Sequence, residues 1–262
     1  MHIAGPLQIE LLPRAAYSAS DTADGCVLGI ALEPQSGVHA IGSDRRKDFH
    51  SRFGELSFKP AGMTVVSESA EGGEYLLVRS GATEAGLMAD RPQWLADRNT
   101  LTCALRLRSV LSGGASPEQL SCDVQRFVCH AWAAAGKPES VNGKLRRAYD
   151  PVVLWIESAL EDGRNEDLRL AVLADLARQG VFQFLRGFSE AFGLTPHAFV
   201  AEWRLQRARR IAKDPSVSLA EAAAAAGYAS QSHMGASFKR ALGLTPLRWR
   251  ELASRASVAH SG

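Results

Sequence analysis

Thiols, long apolar runs and charge of one sign are all scarce in this chain. Cys26, Cys103, Cys122 and Cys129 are the four cysteines among 262 residues, and no two of them form a CxxC pair. That gives no disulfide framework, and a chain this long needs no covalent staple, so a reducing compartment is expected. The most apolar window, Ser218–Tyr228, is alanine-rich and far too short to span a bilayer. Met1–Pro6 shows no basic segment followed by an apolar run, so no signal peptide is expected. The reading is of a soluble cytoplasmic protein with no membrane partner. Catalytic patterns are missing as well. Ser67-Glu68-Ser69 is no nucleophile elbow, and nothing fixes the spacing of Asp48, Glu55, Glu68 and Glu74. No catalytic residues are assigned, and the chain is not expected to be an enzyme.

The net charge is only +2, from 30 basic and 28 acidic residues. Taken alone this gives no hint of a polyanionic partner, but the sum hides an asymmetry. Up to Lys144 there are 14 Lys and Arg against 16 Asp and Glu, whereas Arg178–Arg255 holds 12 against 5. The basic stretch is where a nucleic acid would be sought. Hydrophobic residues at 46% and charged ones at 22% fit an ordinary globular chain and exclude a disordered or fibrous one.

The first ninety residues read as β. Short strand-like stretches, Cys26–Leu32, Gly37–Ile41, Gly54–Phe58, Met63–Glu68 and Glu74–Arg79, are broken by Gly, Pro, Asp and Ser. Leu56 and Phe58 followed by Pro60-Ala61-Gly62 predict a strand entering a tight turn. From Arg91 the apolar spacing changes to three and four residues, predicting two antiparallel helices over Leu101–Ser112 and Pro117–Ala135. Ser116-Pro117-Glu118 has the cap and first-position proline of a helix start. Cys122 and Cys129 share one helix face beside His130 and read as small buried hydrophobes of that hairpin.

The carboxy-terminal half repeats itself. Phe188-Ser-Glu-Ala-Phe-Gly-Leu-Thr-Pro196 recurs fifty positions later as Phe238-Lys-Arg-Ala-Leu-Gly-Leu-Thr-Pro246. Each copy reads as a helix ended by a left-handed glycine, a buried leucine, a threonine cap and a proline at the next helix's first position. Ser218–Ala226, the turn Gly227–Ser230 and Gln231–Leu242 complete a helix-turn-helix around the second copy, and Pro196–Lys213 is a long connecting helix. Phe184, Phe188, Phe192, Phe199 and Phe238 are expected in the core, with Trp203 and Trp249 packed between helices. Leu205, Ala208 and Ile211 are read as one buried stripe that leaves the neighbouring arginines facing outward.

The string Ser218–Met234, continuing through Phe238-Lys239-Arg240, Gly243–Pro246 and Trp249-Arg250, resembles the second helix-turn-helix of the AraC/XylS family of bacterial transcriptional regulators. Arg204–Arg210 resembles that family's connecting helix, and Phe182–Phe188 its first recognition helix. The resemblance implies two recognition helices in successive major grooves of double-stranded DNA. The first would present Phe182, Gln183, Leu185 and Arg186, the second Gln231, Ser232, His233, Ala236 and Lys239. Base contacts are implied for Gln183, Leu185, Arg186, Gln231, Ser232, His233 and Ala236. Phosphate contacts are implied for Arg207, Arg209, Arg210, Lys213, Lys239 and Arg240. Two departures stand out. Arg178 and Gln179 occupy the first turn where the family has glycine and leucine, and Ala236 stands beside Gly235 where an arginine is common.

Gly54–Met63 looks like the strand and turn of the family's cupin-type barrels, which implies a small-molecule effector, a homodimer and RNA polymerase as further partners. Enzymatic cupins carry His-x-His, whereas His39 and His50 stand eleven apart here; no metal and no cofactor are expected. The fold class is α+β: an amino-terminal cupin-like β-barrel with a helical hairpin, then an all-α domain with two helix-turn-helix units. The expected boundaries are 1–144, with strands to about 90, helices over about 91–135 and a linker over about 136–144; then 145–254; then a disordered tail over 255–262. The alternative is a cupin-like metal-dependent enzyme or small-molecule-binding module tethered to DNA.

Overall fold

The computed structural model describes residues 2–4, 7–22, 24–80, 93–114, 116–135 and 145–259. Chain contacts divide the molecule into two bodies, a β domain running to Leu111 and taking in the second helix, and a helical domain over most of the remainder. The linker expected over 136–144 lies outside the described residues.

Ten strands are described in the β domain: β1 (His2–Ala4), β2 (Leu7–Leu12), β3 (Tyr17–Thr22), β4 (Val27–Ala31), β5 (Gln35–Ile41), β6 (Lys47–Ser51), β7 (Glu55–Lys59), β8 (Thr64–Ser69), β9 (Tyr75–Ser80) and β10 (Gln93–Leu95). They pair antiparallel in two sheets, ordered β1-β2-β9-β4-β7-β10 and β3-β8-β5-β6. β10 is a short edge strand on β7, within the stretch expected to be helical. The turn between β7 and β8 forms on Pro60–Gly62, with Met63 N–H donating to the Pro60 carbonyl at 3.4 Å and Gly62 at φ 76°.

All five residues of β4 are buried, as a central strand covered on both faces requires. Ile30, Leu56 and Leu76 lie side by side there with no exposed surface. Gly29 is needed in β4 because the Tyr75 ring covers it; a Cβ would stand 2.4 Å from that ring. The Tyr75 hydroxyl meets Ser57 at 2.7 Å, and burial pushes its pKa up to about 12. The two sheets are tied by charge. Lys59 of β7 and Arg79 of β9 both reach Asp21 of β3, at 2.8 and 2.9 Å.

Helices α1 (Arg98–Gly113) and α2 (Pro117–Ala135) form the hairpin. Ser116 caps α2 through the Gln119 amide, and Arg106 bridges to buried Asp123 across the hairpin at 3.0 Å. Trp132 of α2 packs edge-on against Phe58 of β7. Val124, Phe127 and Ala131 supply the buried face of α2. Cys122 and Cys129 do share a face, but it is the opposite, exposed one, so the expectation that they are buried is corrected.

The helical domain contains α3 (Asp150–Glu161), a 3-10 turn (Asn165–Leu168), α4 (Leu170–Leu176), α5 (Val181–Phe192), α6 (Pro196–Ala212), α7 (Leu219–Ala225), α8 (Gln231–Leu242) and α9 (Pro246–Ala259). α9 continues past residue 255, where the sequence was expected to fray. Two cores lie along α6. Tyr149, Phe184, Phe188, Phe192 and Phe199 stack around one another in the first. Leu205, Ala208, Ala223, Tyr228, Met234, Phe238 and Leu242 make the second. Phe199 and Leu205 are both on α6, so this one helix lends side chains to both cores. Among the described residues, no helix is long and apolar enough to cross a membrane.

Candidate nucleic-acid interface

The fifty-residue repeat folds twice into the same device. Gly193 and Gly243 end α5 and α8 in the left-handed conformation, at φ 70° and 68°. Thr195 and Thr245 then accept from the amides of Ala198 and Arg248, each at 3.2 Å, and Pro196 and Pro246 open the following helices. Upstream, α4 and α5 form one helix-turn-helix, and α7 and α8 the other. The second is the better capped. Ser218 and Glu221 make a reciprocal capping box on α7, and Ser230 accepts from the His233 amide at the start of α8. The hydrogen bonds from the Ser218 hydroxyl and amide hold the Glu221 carboxyl below its ordinary value.

The first turn departs as its sequence foretold, but it is not broken. Arg178 adopts φ 53°, the place Gly227 takes at φ 81° in the second turn. Tyr149, absent from the sequence reading, secures the arrangement: its hydroxyl donates to Gln179 Oε1 at 3.0 Å while its ring packs on Phe184 and Phe188. Gly180 stands at the N-cap of α5 and offers no side-chain cap.

Each recognition helix buries one face and exposes the other. On α5, Phe184, Phe188 and Phe192 go inward while Gln183 and Arg186 are exposed and Leu185 is half-buried. Phe182 is the extreme case at 88% exposure. On α8, Met234, Ser237 and Phe238 go inward while Gln231, Ser232, His233, Ala236, Lys239 and Arg240 are exposed. His233 also stands edge-on to the Tyr228 ring, whose hydroxyl donates to Ser237 at 3.1 Å. Gly235 does not interrupt α8. The exposed faces therefore carry donors, acceptors and cations on two helices with apolar backs, the surface that groove reading requires.

Known proteins share this half of the chain. A family described as a helix-turn-helix domain matches residues 173–252. A Streptomyces lividans protein called an AraC-like transcription regulator is 31% identical over 114 residues, 44% of this chain and 38% of its own. The HTH-type transcriptional regulator MtrA of Neisseria gonorrhoeae is 27% identical over 125 residues, 48% of this chain and 42% of its own. Among solved structures, the DNA-binding domain of AdpA in complex with a target DNA is 29% identical and has a TM-score of 0.36. It covers 41% of this chain and 96% of that one. Through its helical domain the chain is similar to AraC-like transcription regulators. It spans about two-fifths of the length of the curated relatives it matches.

Within this helix-turn-helix domain the connecting helix α6 departs from the single-stripe expectation. Because it serves two cores, it is buried on more than one side, and Glu202, Gln206 and Arg209 are all buried. Arg209, expected at a phosphate, is only 5% exposed, and its guanidinium lies 4.6 Å from the Trp249 ring centroid. Trp249 returns a hydrogen bond to the Arg209 carbonyl at 3.1 Å. Arg209 is thus a packing residue, and its phosphate assignment is corrected. Arg207 is half-buried and uses Nε and an Nη on main-chain carbonyls. Arg210 and Lys213 are exposed, as expected. Arg250 contributes what the sequence reading missed: it clamps the Ala212 and Val217 carbonyls at 2.8 and 2.7 Å, fastening α9 to the end of α6. No local pattern marks such a role, because both partners are main-chain atoms far away in sequence.

Proposed function

We propose that this chain is a transcription regulator that binds specific double-stranded DNA by laying α5 and α8 in successive major grooves. The observation that carries the reading is the pair of exposed polar faces on two capped, apolar-backed helices. Arg186 suits bidentate pairing with guanine, and Gln183 and Gln231 with adenine. Leu185 and Ala236 offer apolar contact to thymine methyls, and Ser232 and His233 complete the reading face. Arg210, Lys213, Lys239 and Arg240 supply phosphate contacts, which set register without reading sequence. The basic excess of Arg178–Arg255, 12 against 5, supports the same partner.

The β domain is the control element, acting through a small ligand or through self-association, and RNA polymerase is the downstream partner. The chain works in the cytoplasm and is not itself an enzyme. Among the described residues no three His, Cys, Asp or Glu side chains gather as metal ligands. The test is binding to DNA flanking the chain's own gene against scrambled DNA of equal length. The proposal requires a preference of about a thousandfold or more at physiological salt; equal affinities would overturn it.

A further inference from the structure

Arg207 lies in the carboxy-terminal half of α6. Its Nε donates to the Ala225 carbonyl at 2.9 Å and an Nη donates to the Glu161 carbonyl at 3.1 Å. Ala225 is the last residue of α7, in the second motif, and Glu161 the last of α3, which packs with the first. The last carbonyls of a helix lack intrahelical partners and carry the negative end of its dipole. One guanidinium therefore neutralises two helix ends, that of α7 in the second motif and that of α3, which packs with the first. Its planar fork holds both acceptors in a fixed relation, which a lysine, with a single nitrogen, does not.

A second contact lies one turn away on the same helix. Arg204 donates to Asn165 Oδ1 at 3.2 Å, and Asn165 belongs to the 3-10 turn ahead of α4. The same Asn165 oxygen lies against the turn of the second motif, where a Cβ on Gly227 would stand 2.3 Å from it. Two arginines of α6 thus bind the segment that leads into the first motif, and both also reach the second, Arg207 by a hydrogen bond to Ala225 and Arg204 by lying against Gly227.

We infer that Arg207, supported by Arg204 and Asn165, is a positioning residue that fixes the separation and angle of the two recognition helices, and so the spacing of the two half-sites the protein accepts. This rests on the proposed DNA-reading function. A rigid pair of recognition helices accepts half-sites one helical turn apart, about 10–10.5 base pairs, and each added base pair both shifts and rotates the second site. A pair held less firmly accepts more spacings.

The test uses the full chain and the Arg207→Lys variant, which keeps the charge and so any contact with a phosphate. In the first arm, spin labels on non-natural side chains at positions 183 and 232 report the distance between α5 and α8 without DNA. The distribution is expected to widen in Arg207→Lys while the thermal midpoint shows the domain still folded. In the second arm, affinity is measured on the preferred pair of half-sites and on pairs with one base pair inserted or deleted. The wild type is expected to lose about tenfold on the altered spacings and Arg207→Lys about threefold or less. An unwidened distribution overturns the clamp. A widened one with the wild-type spacing penalty overturns its role in spacing. A wild type with no preferred half-sites overturns the proposed function instead, and the first arm still judges the clamp.

Discussion

The Tyr149 hydroxyl lies over Gly187 so closely that a Cβ at that position would stand 2.1 Å from the oxygen. The ring has no room to retreat, being 1% exposed and wedged among Phe184, Phe188 and Phe192. Gly187→Ala is therefore expected to destabilise the helical domain by about 1–3 kcal/mol, the usual cost of overpacking. Gly235 in α8 has nothing within 4 Å of its would-be Cβ. Gly235→Ala should stabilise by about 0.5–1 kcal/mol through helix propensity. Chemical denaturation of the two variants checks both signs.

The two turns make a second contrast. Arg178 holds φ 53° with a side chain, whereas Gly227 holds φ 81° without one. Arg178→Gly should relieve about 1 kcal/mol of backbone strain, and Gly227→Ala should add at least as much. Unequal signs in thermal melts would confirm that the first turn is strained but intact.

Much of this architecture is legible in the sequence wherever the pattern is apolar and periodic. β4, β5, β7, β8 and β9 coincide with the five expected stretches, and the repeat placed both αL glycines and both threonine caps. β3 and β6 were missed because they are the edges of the four-stranded sheet, and strands such as Lys47–Ser51 expose polar side chains with no apolar register to read. Arg209 was misplaced for a related reason. A stripe on α6 was read as having one buried side, but burial by two cores is a tertiary fact that spacing does not encode. The roles of Tyr149 and Arg250 rest on partners at least thirty residues away.

The β domain should answer to acid through Asp21. Burial works against its ionisation, but hydrogen bonds from Lys59 and Arg79 prevail and hold its carboxyl below the ordinary value. With the folded value depressed, the stabilisation is present above about pH 4 and lost as pH falls through the folded value. Asp21→Asn should thus be less stable than wild type at neutral pH, and the difference should close at low pH. Paired urea titrations across that range measure it.

Among the basic residues, burial separates two outcomes. Lys239→Ala, on an exposed face, should weaken binding to all DNA alike and flatten the salt slope by about 0.9. Arg209→Ala should leave the slope unchanged and lower folding stability, because it removes the cation stacked on Trp249. Salt titrations of binding alongside melting curves distinguish them.

Selection from a random DNA library, run with wild type, Arg186→Ala and Gln231→Ala, tests the central claim most directly. The account predicts one enriched motif of two half-sites about one helical turn apart. Each variant should lose preference at base positions of its own half-site only, by about 1–3 kcal/mol. A library with no enriched motif, or variants that select the unchanged wild-type sequence, would contradict it.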